Sequence, residues 1–178
     1  MNTLLINTAN SGKLAEYRRL FAEYDIDVRA THVDVEEIDA TPLEVVSHKA
    51  CQVREEVLVD DTSLEIEGAD VGVHVRWRMG ELVRYVGKKA KCAVLLAYRK
   101  QDFVYVCEGV VDGRIASASG DGGFGFDPYF VPEGSEKTLA EFKPDCYNPR
   151  ALAVKAFVEK RLNRYPALFD WEGPWQKG

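Results

Sequence analysis

Two adjacent carboxylates are the first residues that could do chemistry. Val57-Leu58-Val59-Asp60-Asp61-Thr62-Ser63-Leu64 reads as a short apolar strand that stops at Asp60 and Asp61. Ligands of open α/β sheets gather beyond the carboxyl ends of strands, which places this pair where reactions occur. The same residues also suit a strand running into a solvated acidic turn. A second candidate is Asn7-Thr8-Ala9-Asn10-Ser11-Gly12-Lys13, whose small residues let backbone N–H groups approach an anion at a helix start. It is not a P-loop, and an ordinary joint with a solvated lysine is its plainer reading. The acid run Asp34 to Asp39 precedes a helix carrying Lys49, which can lie near the same edge; such runs also form solvated turns. Gly120 to Pro128 is dense in glycine and sets Phe124 and Phe126 on a loop, suited to stacking a base or to anchoring a turn in the core.

The elements that must position these groups follow from periodicity and caps. Thr3 to Thr8 has strand character, and Leu14, Tyr17, Leu20, Phe21 and Tyr24 share one face of a helix capped by Ser11. Val28 to Val33 is a second strand. Thr41-Pro42-Leu43-Glu44 combines a cap, a proline at the first helical position and an acid at the third, predicting a helix to about Glu55 or Glu56. Glu65 to Gly80 is irregular, and Glu81 to Val86 a brief helix. Lys91 to Tyr98 and Phe103 to Val111 form an antiparallel hairpin, and Asp112-Gly113 introduces a further strand, Arg114 to Ala118. Tyr129 to Val131 and Leu139 to Phe142 are short extended pieces. The last helix starts near Pro149, and from Pro166 a tail containing Trp171 and Trp175 packs on the surface or at a subunit contact.

The chain has 178 residues, enough for one elaborated domain spanning residues 1–178. With 46% hydrophobic and 29% charged residues it has the composition of a soluble globular protein. Its apolar runs are far shorter than the roughly 20 residues that span a bilayer, so no membrane association is expected. The first residues, Met1 to Ile6, lack the pattern of a basic leader, a longer apolar stretch and a cleavage site, so secretion is not expected. Cys51, Cys92, Cys107 and Cys146 are scattered without zinc spacing and fit a reduced, cytoplasmic protein. A net charge of −6 argues against nucleic acid as a partner. A protein this acidic that binds phosphates needs local donors or a bridging cation, which points toward metal.

Taken in order, the motifs resemble those of the inosine triphosphate pyrophosphatases. The matching blocks are Thr8 to Lys13 with Glu16, Glu37-Ile38 ahead of the Thr41 helix, Lys49, and Val59 to Leu64. Further on come Glu108-Gly109, Gly113-Arg114-Ile115, Gly123 to Pro128, and Thr138 to Glu141. The resemblance implies an α/β fold: a long mixed β-sheet with flanking helices and two lobes around a central cleft, usually homodimeric. It implies magnesium-assisted cleavage of nucleoside triphosphates, foremost ITP, dITP or XTP, to the monophosphate and pyrophosphate in nucleotide-pool sanitation. Glu37 and Asp61 match metal-binding positions, and Asp61 is the expected base for the attacking water, with Asp60 as fallback or additional ligand. Thr8, Asn10, Lys13, Lys49, Thr62, Ser63, Phe124, Asp127 and Arg150 match substrate-binding positions, with Phe124 stacking on the base.

The chain departs from that family before its last helix. Relatives carry Lys-Asn and then Ser-His-Arg there; here the segment is Lys143-Pro144-Asp145-Cys146-Tyr147-Asn148-Pro149-Arg150. Arg150 stands for the arginine, proline replaces the histidine, and the lysine is lost unless Lys143 supplies it from another place. Missing donors change which base a site accepts. His32, His48 and His74 carry no assigned role. The alternatives are a Maf-like pyrophosphatase of standard or modified nucleotides, or a non-catalytic nucleotide-binding protein. Glu37, Asp60, Asp61 and the two lysines argue against the latter.

Overall fold

The structure is a computed structural model that describes residues 2–176. Strand β1 (Asn2–Asn7) pairs in parallel with β2 (Ile26–Thr31), and helix α1 (Ser11–Ala22) connects them, burying Tyr17, Leu20 and Phe21. The cap of α1 is Asn10 rather than the expected Ser11: the Asn10 side chain accepts from Lys13 N at 3.0 Å, and Ser11 is already helical. Helix α2 (Pro42–Cys51) opens with the expected capping box of Thr41 and Glu44. It stops at Cys51, short of Glu55, because the chain reverses through Glu56 at φ 62° to reach the next strand.

That strand, β3 (Val59–Ile66), is where sequence and structure part most sharply. Asp60 and Asp61 lie inside it, as its second and third residues. They do not end it, because the strand β5 (Lys89–Lys100) continues the ladder across them, setting Asp60 opposite Leu96 and Asp61 opposite Leu95. A six-stranded antiparallel sheet forms around this pair: β4 (Ala69–Gly72), β3, β5, β6 (Phe103–Ile115) and β7 (Phe130–Pro132) in order, with β8 (Asn163–Pro166) also on β6. A parallel bridge between Ile6 and Leu58 joins it to β1, so the whole is mixed, as expected.

The hairpin of β5 and β6 forms, but Asp112-Gly113 does not break it. Both residues sit within β6, paired with Lys91 and Ala90. Gly113 is there because β7 crosses so close that a Cβ would strike the Val131 carbonyl and the Phe130 ring. Of the expected strand Arg114 to Ala118, only Arg114 and Ile115 are extended, as the end of β6, and residues 116–118 lie outside it; Leu139 to Phe142 is a turn held by Phe142 N donating to the Thr138 carbonyl at 2.9 Å. Residues Met79–Tyr85 form a 3-10 helix, and helix α3 (Pro149–Val158) begins where expected, capped by Asn148.

The long β5 and β6 run through two apolar cores. At one end α1 and α3 cover Val94, Leu96 and Cys107 on one sheet face, while α2 covers Val59, Leu95 and Ala97 on the other. At the far end Leu64, Val111, Ile115, Phe126, Phe130 and Leu139 pack with Leu82. These halves are the two lobes, with flanking helices confined to the first. Among the described residues no helix is long and apolar enough to cross a membrane.

Candidate active site

Side chains directly opposite in a ladder share a sheet face, and neighbours along a strand take opposite faces. Asp60, opposite Leu96, therefore points to the α1 and α3 face; Asp61, opposite Leu95, points to α2. Both are buried, at 4% and 5% exposure, so each must find its partners inside the protein.

Asp60 is fully engaged. Lys13 Nζ donates to Oδ1 at 3.0 Å and the Tyr17 hydroxyl donates to Oδ2 at 2.7 Å, with Arg150 Nη2 at 3.6 Å. Burial works against its ionisation, but Lys13, Arg150 and Lys49 outweigh that and hold the carboxyl well below the usual carboxylate range. It is a fixed anion.

Asp61 is not. Lys49 Nζ spends its shortest bond on the Asp60 carbonyl at 2.7 Å, lies 3.3 Å from Glu37 Oε1, and only 3.8 Å from Asp61 Oδ1. Asp61 Oδ2 is buried with no hydrogen-bond partner among the described residues. Burial therefore dominates, pushing the carboxyl up to about 7, with Glu37 and Asp60 adding to it and Lys49 and Lys13 opposing. A buried carboxylate that titrates near neutrality and keeps an unused oxygen can accept a proton or bind a cation.

These groups line a cavity of about 520 Å³ between the lobes. Thr8, Asn10 and Lys13 reach it from the start of α1, where N–H groups of the first turn favour an anion. Glu37, Lys49, Asp60, Asp61, Thr62, Phe124, Asp127 and Arg150 line it too. Ser63 does not: it is buried on the α2 face, opposite Ala93. Asn10 reaches the cavity with its side-chain oxygen already spent on the helix cap.

A second network adjoins Asp60 through Arg150. Arg150 donates to Glu16 Oε1 at 3.2 Å and to Thr62 Oγ1 at 3.3 Å. Lys143 Nζ donates to Glu16 Oε2 at 2.7 Å and to Asp127 Oδ2 at 2.9 Å, and stands 4.8 Å from the centre of the Phe124 ring. Lys143 thus reaches the cavity despite its shifted place in the sequence. Gly12 lies so near Phe124 that a Cβ would come within 2.8 Å of the ring, so the phosphate-side loop and the aromatic loop touch. Asp127 accepts from Phe124 N at 3.1 Å, fixing that loop from within.

Two further members complete the site: Glu16, which the sequence reading names only as part of a motif, and Tyr17, which it reads only as a core residue. Glu16 gathers Arg150, Lys143 and Asn148, and Tyr17 donates to Asp60. Tyr17 falls on the apolar stripe of α1, and the available clue is that a fully buried tyrosine needs a partner for its hydroxyl.

Hard oxygen donors of Glu37 and Asp61, with the unpartnered Asp61 Oδ2, fit a magnesium ion. Among the described residues no group of three or more His, Cys, Asp or Glu side chains could hold a metal. Magnesium shared between one or two carboxylates and substrate phosphates does not need one.

The model of the Ham1 family matches residues 4–160. A dITP/XTP pyrophosphatase of Thermococcus kodakarensis is 33% identical over 172 residues, covering 85% of this chain and 92% of that protein. The dITP/XTP pyrophosphatase of Aquifex aeolicus is 31% identical, covering 90% and 96%. In the fold, the chain is similar to the crystal structure of a nucleoside-triphosphatase, dITP/XTP pyrophosphatase, from Mycobacterium abscessus, with a TM-score of 0.57, 22% identity and coverage of 89% and 94%. Matched along most of its length, the chain belongs to the Ham1 family.

Proposed function

We propose that the protein is a hydrolase that cleaves inosine- and xanthosine-type nucleoside triphosphates to the monophosphate and pyrophosphate, as the names of its relatives suggest. The observation that carries this reading is the division of Asp60 and Asp61 between the two faces of β3, one a fixed anion and the other a carboxylate with an unpartnered oxygen, in a cavity also lined by cations. Lys13, Lys49 and the first turn of α1 hold the triphosphate. The Asp61 carboxylate takes a proton from the attacking water as the water oxygen bonds to the α-phosphorus; the bond from that phosphorus to the bridging oxygen breaks, and pyrophosphate leaves. Asp60 fixes Lys13, Tyr17 and Arg150. Glu37 and Asp61 would hold magnesium, which supplies charge neutralisation on the phosphates and lets two acids stay ionised side by side.

The base is placed over Phe124, with Lys143 and Arg150 as donors beside it. Proline at position 149 removes one donor expected of relatives, so the ranking of bases is the feature most open to change. The four free cysteines suit a reducing compartment, and we propose a cytoplasmic homodimer of one domain per chain. A panel of nucleoside and deoxynucleoside triphosphates assayed for pyrophosphate release with magnesium tests this. Preference for ITP, dITP or XTP supports it; binding without turnover of any triphosphate rejects it in favour of a non-catalytic binder.

A further inference from the structure

Glu37 stands in a stretch with no regular structure, residues 32–37, so neither helix nor sheet fixes its backbone. Two other parts of the chain do. On one side Gln52 clasps the preceding residue: its Oε1 accepts from Glu36 N and its Nε2 donates to the Glu36 carbonyl, both at 2.8 Å. On the other side lies the C-terminal tail. Gln176 N donates to the Glu37 carbonyl at 3.0 Å, Gln176 Nε2 to the Ile38 carbonyl at 3.0 Å, and Asp39 N to the Pro174 carbonyl at 2.9 Å. Ile38 and Trp175 thereby form an antiparallel bridge.

The tail is shaped for this contact. Trp171 Nε1 donates to the Pro174 carbonyl at 2.8 Å, and its ring covers Gly173 so closely that a Cβ would lie 2.5 Å from it. Trp171 and Leu168 pack on the cluster of Ile38, Val45 and Val73. The Trp175 ring meets His48 edge-on at 5.5 Å, and His48 Nδ1 lies 3.0 Å from Gln52 Nε2. Both restraints on the Glu37 segment therefore converge on His48. The tail lies beyond residues 4–160 that the family model matches.

We infer that the C-terminal tail is a strap that sets the position of Glu37, with Trp175 and Gln176 as positioning residues for its carboxylate. The inference rests on the reading of Glu37 as a metal-binding group. Outer residues that orient a ligand commonly change metal affinity by about 10–100-fold. Gln176→Pro removes the N–H that holds the Glu37 carbonyl and keeps the extended backbone before it; Trp175→Ala removes the edge contact with His48. In the full-length protein both should raise the magnesium concentration for half-maximal pyrophosphate release about tenfold, with kcat at saturating magnesium little changed, and Trp175→Phe should restore it. Manganese(II) binding followed by electron paramagnetic resonance should weaken in parallel, while the thermal midpoint reports that the fold is kept.

Unchanged metal requirement in both variants, or a loss of kcat without a change in metal requirement, overturns the strap. Glu37→Gln separates this from failure of the underlying reading. If it weakens metal binding and the strap variants do not, only the strap fails. If Glu37→Gln leaves metal binding unchanged, the metal role of Glu37 fails and the strap with it. Where both hold, adding Gln176→Pro to Glu37→Gln should have no further effect.

Discussion

Asp61 is costly to the fold in the form that chemistry needs. Its folded value, about 7, lies above the ordinary 3.8 of an unfolded aspartate, so the native state holds the proton more tightly. Its contribution therefore favours folding at low pH and is lost as pH rises from about 4 to about 7. Asp61→Asn should raise the thermal midpoint, by more at pH 8 than at pH 5, while lowering kcat about 10²–10⁴-fold, the usual weight of a general base. An unchanged or lower midpoint at pH 8, seen by calorimetry, contradicts the burial argument; near-normal kcat contradicts the catalytic one. The pH dependence follows the same logic. At low magnesium, kcat/KM should rise with pH through about 7, and added magnesium should move that limb to lower pH by favouring the carboxylate. A limb indifferent to magnesium counts against metal at Asp61. Lys13, Lys49, Asp60, Asp61 and Phe124 could all be picked out from residue type and order. Which aspartate keeps its charge could not, because that depends on Tyr17 and Arg150, far away in sequence.

Elements position these residues through a few tight contacts. Helix α3 lies on β6 so closely that a Cβ on Gly109 would strike the Pro149 carbonyl and come within 2.6 Å of Ala153 N. Gly109→Ala should shift the start of α3, and with it Arg150, at a cost of about 1–3 kcal/mol. Chemical denaturation measures that loss, and KM for the triphosphate should rise with it; a neutral effect on both would show that α3 has room to move. Element types were legible where periodicity was strong, as in α1, or where a capping box stood, as in α2. They were obscured where tertiary pairing overrode local preference. Asp60-Asp61 and Asp112-Gly113 both look like turns, yet each is held in a strand by ladders on β5. Asn163–Pro166 looks like loop, being polar with a proline, yet it pairs at the edge of β6, where proline is tolerated.

At the scale of the whole molecule, the lobes share β5 and β6 but meet the cavity with different groups, so a nucleotide bridging them stabilises both. At a hundred times its Kd, a ligand specific to the native state adds about 2.7 kcal/mol. A non-hydrolysable inosine triphosphate analogue with magnesium should raise the thermal midpoint by about 5–10 °C. Inorganic phosphate, which touches only the cationic side, should do less, and equal shifts from both would mean that Phe124 and Lys143 take no part. Two lobes around a cleft could be expected from family resemblance. The clasp of the tail on residues 36–39 could not, since backbone bonds leave no trace in residue type.

One consequence of the strand geometry concerns inheritance rather than energetics. Asp60 and Asp61 are the same amino acid, so chemistry alone does not tell them apart; odd or even position in β3 does. Substitution therefore cannot change the face that each one takes, whereas a single residue inserted or deleted between Leu58 and Asp60, if the strand slid by that residue, would turn both to the opposite face. Parity along this strand is accordingly part of the inherited information of the site, and gaps should be rare there even where the surrounding residues drift.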